Sequence, residues 1–170
     1  MSINFSVVKC QYTTEKKLFG ICDDPPPIYK HAYLDEENGV KWIAVVINAD
    51  RQHVTFTAID NCIEIRSING KMAKRCDGVL TFNSTIVFVE LKERDEKGTN
   101  WIKDAEEQLR STISYFEKSE KGTNYKIKKA YISNNEHPKF RESQARRMEQ
   151  FLTDTGYVLR IENRIILEKN

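Results

Sequence analysis

No apolar run in this chain of 170 residues approaches the roughly 20 that cross a bilayer, so a membrane-spanning helix is not expected. The start, Met1-Ser-Ile-Asn-Phe5, lacks the basic-then-apolar layout of a secretory leader, and the expected location is cytoplasmic. The four cysteines, Cys10, Cys22, Cys62 and Cys76, include no C-x-x-C pair and match no common zinc module. They read as reduced, mostly buried thiols. The three histidines, His31, His53 and His137, are scattered, and their order argues for no Ser-His-Asp or Cys-His set. No P-loop is present, so any ATP-driven activity would need a partner. No helix-turn-helix, zinc finger or aromatic RNA-binding motif reads a base, and neither a repeat nor a low-complexity tract appears. A net charge of +2 does not by itself mark a nucleic-acid binder.

What is present is an ordinary globular composition, 39% hydrophobic and 31% charged, sufficient for one compact core. The first third reads as β-rich. Phe5–Cys10, Lys41–Asn48 and His53–Asp60 are strand candidates, and Ala49-Asp50-Arg51-Gln52 fits a hairpin turn between the last two. Ile63–Arg66 alternates and would extend that sheet. Asp23-Asp24-Pro25-Pro26-Pro27 breaks regular structure and reads as a rigid, extended surface loop. From Lys74 the order is β-β-α-β-α-β. It comprises two strands, a helix over 100–117, a strand over 125–133, and a helix over 139–153 with Pro138 at its start and Gly156 as its stop. Residues 157–167 read as two short strands about a turn at Glu162-Asn163. The expected fold is α/β (α+β), a central mixed sheet flanked by helices. Residues 1–70 form a β-rich N-terminal extension packed on a core over 71–170, one compact domain overall.

The charged residues of the first two strands carry the chemistry. Cys76-Asp77-Gly78-Val79-Leu80 leads through Asn83-Ser84 into Ile86-Val87-Phe88-Val89-Glu90-Leu91-Lys92. Glu90 and Lys92 leave one face of their strand, while Val87, Val89 and Leu91 leave the other and can pack on a helix. Charges at the end of an apolar strand cost several kcal/mol each to desolvate unless paired or metal-bound. Two carboxylates and an ammonium converging from a hairpin can hold a hard divalent cation and a polarised water. A surface hairpin with an exposed Glu90–Lys92 pair is the alternative.

The set Asp77, Glu90 and Lys92, with the helix that follows, resembles the PD-(D/E)xK nuclease superfamily. The resemblance covers roughly residues 75–156, and Cys76 stands where that family's motif has proline. It implies a restriction-endonuclease-like core. It also implies metal-dependent hydrolysis of phosphodiester bonds, DNA rather than RNA. Asp77 and Glu90 would bind Mg2+ or Mn2+, with the Leu91 carbonyl as a further oxygen ligand, and Lys92 would assist the attacking water.

On the following helix Ile102, Ala105, Leu109, Ile113 and Phe116 make one apolar face. Trp101, Gln108, Thr112 and Tyr115 lie along its flank. Gln108 matches the family's supporting glutamine, or is a boundary residue of an amphipathic helix. Thr112 stands where some branches carry a tyrosine. Glu64 is the candidate for an additional acid, or faces solvent on an alternating strand. Lys71, Lys74 and Arg75 form one basic cluster and Lys139, Arg141, Arg146 and Arg147 a second, either able to contact phosphates. Assembly stays open: a homodimer or larger complex would suit cleavage of both strands. The competing functional reading is a catalytically inactive protein of the nuclease fold that binds nucleic acid or a protein partner.

Overall fold

The computed structural model describes residues 3–92, 100–122, 124–135 and 144–169. Ten strands and two helices are seen among them. In chain order they are β1 (Gln11–Thr14), β2 (Leu18–Cys22), β3 (Tyr33–Asp35), β4 (Ala44–Ile47), β5 (Val54–Ala58), β6 (Gly78–Phe82) and β7 (Thr85–Lys92), then α1 (Asn100–Glu117), β8 (Ile127–Asn134), α2 (Ala145–Thr155), β9 (Val158–Ile161) and β10 (Arg164–Ile166). Six strands form a central sheet in the order β1-β5-β6-β7-β8-β9, and four form a second sheet, β10-β4-β2-β3. The central sheet is mixed. β1, β5, β6 and β7 are antiparallel neighbours, and β7, β8 and β9 are parallel. The fold is therefore α+β around a central mixed sheet. No helix among the described residues is long and apolar enough to cross a membrane.

β7 is the axis of this architecture. Seven of its eight residues are buried, as expected of a strand covered on both faces. One face meets the helices: Phe88 packs edge-on against Phe116 of α1 and Tyr157, with centroids 5.3 and 5.7 Å away. The other face meets the second sheet, where Val87 and Tyr131 share a crevice with Ile165 and Leu167. This reverses the expected facing, because Glu90 and Lys92 share the helix face with Phe88 while Val87 turns to the second sheet. The reason lies in the second sheet itself, an apolar layer that local strand pattern cannot reveal.

α1 begins and ends where its periodicity places it, and buries Trp101, Ile102, Ala105, Leu109, Thr112, Ile113 and Phe116. Burial of each large apolar side chain contributes about 1.5–3 kcal/mol. α2 ends as expected: Gly156 is left-handed, at φ +80°, and its N–H donates to the Leu152 carbonyl at 2.8 Å. The expected start of α2, with Pro138, lies outside the described residues.

The N-terminal third departs from the expectations in four places. Phe5–Cys10 is not a strand; Val8–Cys10 is a single 3-10 turn that leads into β1. Residues 49–52 do not close a hairpin, because β4 and β5 belong to different sheets. Buried Asn48 turns the chain from one sheet to the other. Its amide donates to the Lys16 and Gln52 carbonyls, at 3.2 and 2.9 Å, and its Oδ1 accepts from the Gln52 N–H at 3.0 Å. Ile63–Arg66 adds no strand, only an isolated bridge between Arg66 and Met72. Finally, Cys10 and Cys62 are joined in a disulfide with Cα atoms 6.0 Å apart, while Cys22 and Cys76 are free and buried. Antiparallel pairing sets Gln11 opposite Thr57, and the chain then turns back on the Ile59 carbonyl, which accepts from the Cys62 and Ile63 N–H groups. That turn delivers Cys62 to Cys10 across a sequence separation of 52, which no local spacing could reveal.

Residues 1–70 supply strands to both sheets, and β10, from the far end of the described chain, pairs in parallel with β4. β9 and β10 likewise lie in different sheets, so the turn at Glu162-Asn163 is a second crossing between layers.

Candidate active site

The register of β6 on β7 builds the site. Gly78 is paired with Val89, so Asp77, one residue earlier, comes level with Glu90, one residue later. Two reciprocal hydrogen bonds fix them. The Leu91 N–H donates to Asp77 Oδ2 at 2.6 Å, and the Asp77 N–H donates to Glu90 Oε2 at 3.2 Å. Gly78 permits the close approach of β5 to the strand that follows Asp77: a Cβ there would lie 2.3 Å from the Phe56 ring and 2.9 Å from the Thr57 carbonyl. Both acids are buried, at 8% and 2% exposure.

Lys92 and α1 complete the arrangement. The Lys92 ammonium lies 3.2 Å from Glu90 Oε1 and donates to Gln108 Oε1 at 3.0 Å. Gln108 in turn donates from Nε2 to the Arg75 carbonyl at 3.3 Å. One turn on, the Thr112 hydroxyl accepts from the Cys76 N–H at 2.8 Å and donates to the Gln108 carbonyl at 3.0 Å. The helix thus holds residues 75 and 76 by two side chains and fixes the backbone that carries Asp77. Thr112, read from sequence as a departure from the tyrosine pattern, is a buried docking residue.

Electrostatics follow from this burial. Desolvation, opposed by the Leu91 N–H and the Lys92 ammonium and assisted by the Asp23 and Asp60 carboxylates, leaves the Asp77 carboxyl pushed up to about 7. Glu90 is pushed well above the ordinary carboxylate range by burial and then by Asp77, with Lys92 opposing. Two neighbouring acids that resist ionisation are a receptive place for a cation, which would offset the charge that burial disfavours.

The pair opens onto a cavity of about 480 Å3 whose walls include Asp23, Asp60, Asp77, Glu90, Lys92 and Gln108. Leu91 lines it too. A second hollow, of about 410 Å3, adjoins it and is lined by Lys74 and Arg75, with Asp60, Asp104, Lys92 and Gln108 common to both. Among the described residues, no group of three or more His, Cys, Asp or Glu side chains could hold a metal on its own. Asp77 and Glu90 nonetheless fit Mg2+, which binds through one or two carboxylates and leaves its other positions to water and substrate oxygens.

The structure brings together Asp77, Glu90, Lys92 and Gln108, and sets Lys74 and Arg75 beside them. It does not bring in Glu64, which is exposed and paired with Arg66 in a loop bridged only at Arg66–Met72. The acids that do reach the cavity are Asp23 and Asp60, and neither was singled out from sequence for a site role. Asp60 sits just past β5, its N–H bonded to the Cys76 carbonyl at 3.1 Å and its carboxylate 3.0 Å from Arg75. Its only sequence signal is an acid ending a strand candidate. Lys71 lies in the exposed turn of residues 67–71, where its carbonyl accepts from the Ser67 N–H at 2.8 Å, and lines neither hollow. Arg146 and Arg147 line a separate hollow between α1 and α2, where Arg147 holds Glu106 at 2.6 Å. Lys139 and Arg141 fall outside the described residues. Comparison of the chain with protein-family models, with curated proteins and with solved structures finds no match.

Proposed function

We propose that this protein is a metal-dependent nuclease of the PD-(D/E)xK type, with a restriction-endonuclease-like core, that hydrolyses phosphodiester bonds of DNA. One observation carries the reading: two buried carboxylates brought level by adjacent strands, one bonded by the Leu91 N–H and the other by the Asp77 N–H, face a cavity with a lysine 3.2 Å from one of them. Asp77 and Glu90 would hold Mg2+ or Mn2+, with the Leu91 carbonyl as a further ligand. Such an ion, when bound, polarises a phosphate and lowers the pKa of water beside it. The chain's own groups do the rest. Lys92 is oriented by Gln108 and Glu90 so that its ammonium faces the cavity and offsets negative charge developing on the reacting phosphate. A compact ammonium suits this position better than a guanidinium, which would need a planar, two-pronged partner. Gln108 is a positioning residue, acting on Lys92 and on the Arg75 carbonyl. Lys74 and Arg75 give the adjoining hollow the charge to take a neighbouring phosphate.

The test is to incubate pure protein with linear, circular, single-stranded and branched DNA and with RNA, in Mg2+, Mn2+ or EDTA. Glu90→Gln, which keeps the side chain's size, is run beside wild type. Cleavage that requires the metal and vanishes in Glu90→Gln is expected. Metal-independent cleavage, equal cleavage by the variant, or no cleavage together with no metal binding by calorimetry would refute the proposal.

A further inference from the structure

The two hollows that meet at Lys92 and Gln108 end differently. One runs on to Lys74 and Arg75, and the other runs on to Asp23, Asp24, Pro25 and Pro26. Beyond the Asp60 and Asp104 that both hollows share, Lys74 and Arg75 therefore add positive charge on one side of the candidate scissile position, and a wall of two carboxylates and two prolines stands on the other. That wall is anchored. The β2–β3 register pairs Cys22 with Tyr33, and the Tyr33 hydroxyl donates to Asp24 Oδ1 at 2.9 Å. The Ile28 N–H closes a turn on the Pro25 carbonyl at 3.2 Å. Proline rings fix φ through the same stretch. A segment held in this way acts as a stop rather than a swinging lid.

We infer that the Asp23–Pro26 wall makes the site one-ended: its substrate is a single nucleic-acid strand with a free end. The terminal nucleotide lies between the wall and Lys92, and the strand leaves over Lys74 and Arg75. The inference rests on the nuclease reading of the same site and gives it a substrate class. The walled cavity, about 480 Å3, is of a size that encloses one small ligand, for which ~300–1,000 Å3 is usual. A strand continuing past the reacting phosphate would carry its next phosphate against Asp23 and Asp24, where like charges oppose it. On the other side, among the described residues, Lys74 is held in an exposed pair with Glu107, which a phosphate can replace at little cost. Arg75 is held in place by the Ile63 carbonyl at 3.1 Å and by Asp60. The proline stretch, expected from sequence to be a rigid connector, thereby sets specificity.

The experiment compares single-stranded DNA of one sequence in linear and in covalently closed circular form, with Mg2+, using wild type, Pro25→Gly/Pro26→Gly and Asp24→Asn. Wild type should degrade the linear form at least tenfold faster than the circle, releasing mononucleotides. The double glycine variant should narrow that preference at least fivefold. Asp24→Asn, which keeps an oxygen for Tyr33 and removes only charge, should narrow it in the same direction if the glycine variant does not fold. A circle cut as fast as the linear strand overturns the one-ended site while leaving the nuclease reading intact. A wild-type preference that neither folded variant alters overturns the role of the wall. No cleavage of either form overturns the one-ended single-strand site, and the nuclease reading then stands or falls on the duplex, branched and RNA substrates and on metal binding.

Discussion

Replacing Asp77 by Asn should stabilise the metal-free protein at pH 8 while abolishing metal binding. The rise of its carboxyl from 3.8 to about 7 means that the folded protein holds a proton that the unfolded chain has released. Below pH 3.8 the acid is protonated in both states and costs nothing. Between there and about pH 7 the folded state binds more protons, so stability falls as pH rises. Above about pH 7 the acid is ionised in both states and the loss is complete. At 1.36 kcal/mol per pH unit the loss is about 4 kcal/mol. Asn mimics the protonated acid, since it keeps an oxygen for the Leu91 N–H and carries no charge. In EDTA at pH 8 the variant should therefore melt roughly 10 °C above wild type, at 2–4 °C per kcal/mol for a chain of this size. At pH 4 the two should converge. A residual pH slope should persist in the variant from Glu90, whose carboxyl is raised in the same direction. Millimolar Mg2+ should raise the melting temperature of wild type at pH 8 and leave the variant unmoved. Scanning calorimetry at the two pH values, with and without metal, reads all of this. A variant no more stable than wild type at pH 8 in EDTA would refute the argument that burial, not pairing, dominates this acid.

Three further outcomes follow from the same geometry. Lys92→Met should lower cleavage by about 10²–10³-fold at saturating substrate, the usual loss for one preorganised cationic or oxyanion-stabilising donor; equal rates in a single-turnover assay would remove Lys92 from the chemistry. Thr112→Val deprives the buried Cys76 N–H of its acceptor and should cost about 1–3 kcal/mol in urea unfolding, with Thr112→Ser retaining most of the stability; a neutral Val variant would mean that α1 docks by packing alone. Gly78→Ala drives a methyl group into Phe56 and should cost about 1–3 kcal/mol and weaken Mg2+ binding measured by calorimetry, because Asp77 is the adjacent residue; unchanged metal affinity would show that the strand shifts without disturbing its acids.

The parts of this protein written in local pattern were legible in its sequence. The apolar face of α1 has a strict helical period, and its limits fall at Asn100 and Glu117 as that period requires. The juxtaposition of Asp77 and Glu90 follows from two strands joined by the short Asn83-Ser84 turn, which fixes their register. What was not legible depends on which strands share a sheet. β4 and β5 look like a hairpin because each is apolar and the link is short, yet Asn48 sends them to different layers. The second sheet covers the Val87 face of β7, so Glu90 turns toward the helices instead of away from them. Asp23 and Asp60 reach the site from positions distant in the chain, and nothing adjacent to them announces it. Glu64 had the better local pattern and is placed elsewhere by a loop. The Cys10–Cys62 disulfide belongs to the same class, a contact made by topology alone.

The parallel pairing of β10 with β4 bears on how the chain is made. Arg164 lies against Val45, so the second sheet lacks an edge until residues 164–166 have left the ribosome. At ~5–20 residues per second, the strands carrying Asp77 and Glu90 are synthesised several seconds before that partner arrives. During this interval the Val87 face of β7 lacks part of the layer that covers it. A nascent chain would then carry its two acids before it carries β10, the strand that completes the layer behind them.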